Sequence, residues 1–215
     1  MAARQVRFAR DYRRRAPVRE PYDVVLIVCE GTKTEPRYFR EFCVAHMLSS
    51  ANVTVVPSQY GNDPLSVVNY AEDQLNGPAD YDRVYCVFDR NGHSTYNAAL
   101  QKVRDSEHGK TGRLIAIPSV PCFEVWILLH YGYTTAPFNA VGKKSACDHV
   151  VSRVTDNFGK YRKGFAGVYQ ELESRLDKAL THAHRLEKHN KTTNSENPAT
   201  AIHHLVDYMR RLRQS

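Results

Sequence analysis

The sequence predicts an α/β fold, with a mainly parallel four-stranded sheet flanked by helices and a C-terminal helical extension. Two observations carry this reading. Short apolar or β-branched runs alternate with helix-like segments through the first 133 residues, and such alternation builds crossover units whose strands lie parallel. Beyond about Tyr133 the strand signals fade, and apolar residues recur at helical spacing over roughly 145–157, 165–189 and 198–213.

The first strand is Val24-Val25-Leu26-Ile27-Val28-Cys29, followed by Thr34-Glu35-Pro36, a helix start with proline early and Tyr38, Phe39, Phe42 and Leu48 as its apolar face. Val53-Thr54-Val55-Val56 reads as the second strand. Asp63-Pro64 then opens a helix that runs to the breaker Asn76-Gly77-Pro78. Residues 83–88 form the third strand and 95–106 a helix. Leu114-Ile115-Ala116-Ile117 is a fourth strand stopped by Pro118, and Phe123 to Leu129 begin a strongly apolar helix. The organisation is a basic arm over 1–20, an α/β core over 21–133, and a helical extension over 134–215, with a polar break at 190–197.

The chain has 215 residues, 42% of them hydrophobic and 25% charged, which suits one ordered domain with an extension. Net charge is +7, and the excess is uneven. In the first twenty residues Arg4, Arg7, Arg10, Arg13, Arg14, Arg15 and Arg19 face only Asp11 and Glu20. Such a segment displaces counterions from a polyanion, making nucleic acid a natural partner; a solubilising tail has the same composition. It lacks serine, which argues against a transit peptide, and no apolar run reaches the roughly 20 residues of a membrane span. The expected location is cytoplasmic. Five cysteines without a CxxC pair read as buried thiols of a reducing compartment.

The chemistry concentrates where strands end. Glu30 follows the first strand and Asp89 the third, and if these strands are neighbours the two acids meet at the carboxyl edge of the sheet, where open α/β sheets bind ligands. Oxygen donors there suit magnesium, or manganese, which can polarise a phosphoryl oxygen and activate water. Either acid alone also serves as a helix cap or loop charge. Asn91 adds a neutral carbonyl oxygen. Lys33, in the turn Gly31-Thr32-Lys33-Thr34-Glu35, is a candidate phosphate contact, although Thr32 rules out a Walker A loop. Glu35 is either linked to the metal or a complement to the helix dipole. Glu124, an acid in a very apolar helix start, needs a cation, a metal or a proton, and becomes a third acidic site residue. His93 is placed to position water or contact phosphate, and otherwise is a polar turn residue. Lys160-Tyr161-Arg162-Lys163 offers charge to a nucleic-acid backbone and Tyr161 for stacking on a base, or is a solvated face. The histidines at 182, 184, 189, 203 and 204 show no zinc spacing with cysteine, so no structural zinc is expected.

Val28-Cys29-Glu30-Gly31-Thr32-Lys33-Thr34-Glu35-Pro36-Arg37-Tyr38-Phe39 resembles the opening signature of the RloB-like family, upstream arginines included. Val87-Phe88-Asp89-Arg90-Asn91-Gly92-His93, Pro121-Cys122-Phe123-Glu124-Val125-Trp126-Ile127-Leu128-Leu129-His130 and Asn197-Pro198-Ala199-Thr200 agree with its later blocks in order. The resemblance implies a Toprim-like fold, in which a glutamate after the first strand and an Asp-x-Asp after the third bind magnesium. By position, Glu30 is that glutamate and Asp89 the first aspartate; Asn91 departs from the second. It further implies a nuclease effector of bacterial antiviral defence, of the abortive-infection kind, often beside an AAA-type ATPase partner. The expected activity is magnesium-dependent cleavage of RNA, including tRNA, or of DNA, by Glu30, Asp89, Glu124 and Lys33. The rival, motivated by Asn91, is a degenerate Toprim-like nucleic-acid-binding or regulatory subunit. A magnesium phosphotransfer enzyme such as a nucleotide phosphohydrolase is a third reading.

Overall fold

A computed structural model of the protein describes residues 23–50 and 52–212; the basic arm over 1–20 lies outside the described residues. Chain order gives β1 (Val25–Cys29), α1 (Thr34–Ala45), β2 (Val53–Pro57), α2 (Pro64–Asn76), β3 (Arg83–Asp89), α3 (Tyr96–Asp105), α4 (Glu107–Lys110) and β4 (Leu114–Val120). There follow α5 (Glu124–Leu129), α6 (Ala146–Asn157), α7 (Val168–Leu172), a single 3-10 turn over Glu173–Arg175, α8 (Leu176–Thr193), β5 (Ala199–Thr200) and α9 (Ile202–Leu212).

The unbroken apolar runs of β1 and β3 are explained by burial on both faces. Along β1, Val25, Ile27 and Cys29 enter one core, and Leu26 and Val28 the other. Tyr85 and Val87 of β3 join the first core, while Val84, Cys86 and Phe88 join the second. The period of two sends alternate side chains to opposite faces, so a strand covered on both sides must be apolar throughout. Helices α2 and α3 cover the second core, and α1 with α5 to α9 cover the first. Aromatic edges tie the larger core together: the Tyr38 ring lies 5.6 Å from Phe123 and 6.4 Å from Trp126, both T-shaped.

The strands are ordered β2-β1-β3-β4-β5, with β1, β2, β3 and β4 parallel and β5 antiparallel. This corrects the four-stranded expectation. The start of the helix predicted over 198–213 is instead a two-residue strand, Ala199 opposite Val120 and Thr200 opposite Ser119, with a helix only from Ile202. Two residues carry no periodicity of their own, and their pairing with β4 defines them. Nor does Pro118 stop β4, which continues to Val120. The carbonyl of Pro118 accepts from Ala201 N at 2.9 Å, so its missing N–H falls on the side of the short last strand and costs the β3 ladder nothing. The helix predicted over 165–189 divides into α7, the 3-10 turn and α8, which passes Asn190 and closes on Asn194 in left-handed conformation, φ 54°.

The cysteines are a further correction. Cys29 and Cys86 are buried free thiols, Cys43 is half-buried, and Cys122 and Cys147 are joined in a disulfide with Cα atoms 5.7 Å apart. Their separation of 25 residues has no motif character. Packing of α6 on α5 brings them together. Among the described residues no helix is long and apolar enough to cross a membrane.

Candidate active site

Because β1 and β3 are parallel neighbours with Cys29 opposite Val87, the next residues of both strands leave the sheet at the same edge. Glu30 N donates to Val87 O at 2.9 Å, and Asp89 N donates to Glu30 Oε2 at 2.8 Å, so the two turns are laced together. The other oxygen of Glu30 lies 2.9 Å from His93 Nε2. Arg90 N and Asn91 N donate to the carbonyls of Ser119 and Pro121, both at 2.9 Å, fastening the β3 turn to the end of β4. That contact brings in the start of α5 and with it Glu124.

Two further acids occupy the basin. Glu35, in the first turn of α1, is nearly buried. A Cβ on Gly31 would fall 2.1 Å from its Oε2, so glycine there makes room for the carboxylate. Glu124 is 2% exposed; its Oε1 accepts from the Tyr161 hydroxyl at 3.0 Å, and its Oε2 lies 3.8 Å from Lys163 Nζ. Lys163 reaches inward because its loop is docked on α1: Gly164 N donates to Thr34 Oγ1 at 2.8 Å, and Arg37 bonds the Gly164 carbonyl. At Gly164, φ +73°, a Cβ would come within 3.0 Å of Lys33 Cβ, so the loop carrying Lys163 packs directly on Lys33.

The electrostatics follow from crowding four carboxylates at one partly desolvated edge. Burial, then Glu35, Glu124 and Glu30, drives the Asp89 carboxyl well above the ordinary aspartate range, with Lys163 opposing. Glu35 is pushed up to about 7 by burial first, then by Glu124 and Glu30. Glu30 is also raised by burial, against the hydrogen bond from Asp89 N and the neighbouring His93. Glu30, Glu35 and Asp89 are thus each raised chiefly by burial, with like charge adding to it at Glu35 and Asp89.

A divalent cation fits this donor set. No three of the four carboxylates bring their oxygens within 4.8 Å of one another, so they line a basin and do not form a closed cage. Magnesium suits such a place, since it keeps several waters and takes one or two carboxylates together with phosphate oxygens. Glu30 and Asp89 would hold it, with Glu35 and Glu124 beside them.

The structure brings Glu30, Asp89, Glu124, Lys33, His93 and Lys163 to this edge. Asn91 lies in the adjoining turn, exposed and with φ 20°. Tyr161 is a correction: at 5% exposure, with its hydroxyl on Glu124, it cannot stack on a base. The apolar surroundings of its ring, which includes Phe158, exclude solvent. His93 bonds the Glu30 carboxylate through Nε2, with its side chain 31% exposed. Lys160 is exposed and forms part of no described cluster. Glu35 is the residue that sequence reasoning placed least firmly, because a first-turn glutamate and a basin acid look the same until Gly31 is seen above it. Asp63 was legible only as a helix opener. Its Oδ1 accepts from Leu65 N and Ser66 N and also from Thr95 Oγ1 at 2.9 Å, and its charge is felt at Glu30.

No curated protein and no solved structure matches the chain. The model of one family does match, described as RloB-like protein, over residues 25–209, from the first strand to the last helix. All five strands, the acidic basin and the loop carrying Lys163 lie inside that span. The chain belongs to the RloB-like family.

Proposed function

We propose that the protein is a magnesium-dependent nuclease of Toprim type, acting on RNA or DNA at the carboxyl edge of β1, β3 and β4. The observation that supports this most is the set of four carboxylates, Glu30, Glu35, Asp89 and Glu124, gathered at one edge, with the Lys163 ammonium and the His93 ring beside them. Magnesium, when bound, supplies a Lewis acid for the phosphoryl oxygen. His93 orients Glu30 through the 2.9 Å contact, and the Asp89 amide fixes its other oxygen. Tyr161 and Lys163 hold Glu124 in place from below. Lys33, on which the loop carrying Lys163 packs, would contact phosphates of a single strand together with Lys163.

Asn91 lies in an exposed turn, whereas Glu35 adds a carboxyl group within the basin, which a bound cation would help to deprotonate. On this reading the basin keeps a fourth carboxyl group without a second β3 aspartate. Control by an AAA-type ATPase partner and a role in antiviral defence belong to the same proposal and rest on the family alone.

The test begins with metal, because a nuclease under partner control can be silent when pure. Calorimetry with magnesium and manganese should show binding to wild type that Glu30→Gln and Asp89→Asn each weaken at least tenfold, with unchanged circular dichroism. Where cleavage is observed, both variants should lose at least 10³-fold in rate, as expected when interactions made in the transition state are removed. Cutting at the wild-type rate in both would refute the site. In a salt series, Lys33→Ala and Lys163→Ala should each lower the slope of log binding constant against log salt by about one. Magnesium-independent binding with no cleavage under any condition would favour the non-catalytic reading.

A further inference from the structure

Far from the acidic edge, helices α8 and α9 face each other with an uncommon concentration of imidazoles. His184 and Glu187 are three apart on α8, hence on one face. His203, His204 and Asp207 occupy one side of α9 by the same spacing. The His203 and His204 rings lie 4.0 Å apart, and those of His184 and His203 4.7 Å. His203 Nε2 is 3.2 Å from Glu187 Oε2, and His204 Nε2 is 3.3 Å from Glu187 Oε1, which Lys191 also approaches at 2.8 Å. His184 Nε2 is 2.8 Å from Asp207 Oδ2.

Ordinary hydrogen bonding does not satisfy this group. His203 is 1% exposed in its side chain, and its Nδ1 is buried with no hydrogen-bond partner. Bound to a cation through Nε2, the ring would stay neutral with its one proton on Nδ1, which avoids burying an imidazolium. Ligand atoms of His184, Glu187 and His203 already lie within 4.8 Å of one another. Ligands of a tetrahedral ion with bonds near 2.0–2.1 Å stand roughly 3.3 Å apart. His203 Nε2 and Glu187 Oε2 have that separation, and His184, half exposed and bonded to Asp207 through Nε2, keeps Nδ1 as a ligand atom.

We propose that His184, Glu187 and His203 form a second metal site, for a borderline divalent ion of the zinc, cobalt or nickel class, with His204 or water completing the set. Two imidazoles and a carboxylate select such ions over magnesium, which takes hard oxygen donors and resists dehydration. Asp207 stands behind as the carboxylate that fixes the His184 ring. A cavity of about 350 Å³ bordered by Glu187, His204 and Lys191 gives the ion a way in. The ion would clamp α8 to α9 and hold in place β5, which lies between them in the chain.

The test uses the full-length protein stripped with chelator and then supplied with excess magnesium to fill the acidic basin. Cobalt should add one equivalent of visible absorption without an intense near-ultraviolet thiolate band, zinc should displace it, and zinc at a hundredfold over its Kd should raise Tm by about 5–10 °C. His184→Ala and Glu187→Gln should each weaken binding at least tenfold, while their metal-free melting shows that they fold. A Glu30→Gln/Asp89→Asn double variant should bind cobalt as wild type does. The proposal is overturned by an absence of cobalt absorption or by undiminished binding in both α8 variants. A thiolate band, which would place the ion on cysteine, or loss of binding in the basin double variant, overturns it equally.

Discussion

The Glu35 carboxyl is held at about 7 against an ordinary value of 4.5. A raised carboxyl binds its proton more tightly in the folded state, so its contribution favours folding at low pH and is lost as pH rises through the window between these values. The magnitude is about 3 kcal/mol, at 1.36 kcal/mol for each pH unit. Buried His130 and His203, lowered to about 4, act with the opposite sign up to their unfolded value of 6.5. The difference between Glu35→Gln and wild type isolates the glutamate. In urea unfolding without metal, the advantage of Glu35→Gln should grow from pH 5 to pH 8, and magnesium at pH 8 should shrink it. Tyr161→Phe removes a hydrogen bond to a buried carboxylate and should cost about 1.5–3 kcal/mol, read as a lower urea midpoint. At this scale Glu30 and Asp89 were legible because each follows an apolar run and precedes a turn. The role of Tyr161 was not: a basic-aromatic tetrapeptide reads as a nucleic-acid surface until its aromatic member is found under Glu124.

Elements were legible in proportion to their length. The seven residues of β3 and the capped start of α2 declared themselves, whereas β5 exists only because β4 offers it a partner. The division between α7 and α8 was hidden for a similar reason, since apolar spacing continues across the 3-10 turn. Asp63 shows how one element's cap serves another: it caps α2, accepts from Thr95 just before α3, and sits in the field of Glu30. Asp63→Ala should therefore cost about 1 kcal/mol or somewhat more. Asp63→Asn, which keeps an acceptor for the cap, should lose only a few tenths of a kcal/mol. Thermal melting of the two variants side by side checks this, and equal losses would mean that the charge matters more than the cap.

At the scale of the whole molecule, one core runs from β1 through α5 to α9, so the C-terminal helices and the sheet share their stability. Trp126, fully buried and in edge contact with Tyr38 and His130, lies within that shared core. Trp126→Ala should cost about 3–5 kcal/mol, and helix and tertiary signals should still melt together in one transition. Two separate transitions would show that the segment beyond Tyr133 folds independently. Sequence reads a helical extension beyond Tyr133 but does not show that the extension returns a strand to the sheet. The return has a consequence for how the molecule behaves in a crowd. An open β4 would show other chains a row of unpaired amides, the template on which sheets aggregate edge to edge. Here the last two residues of β4 are taken up by a two-residue strand that turns directly into α9, and Pro118 removes one amide beside them, so the row open to a second copy is shortened at its carboxyl end.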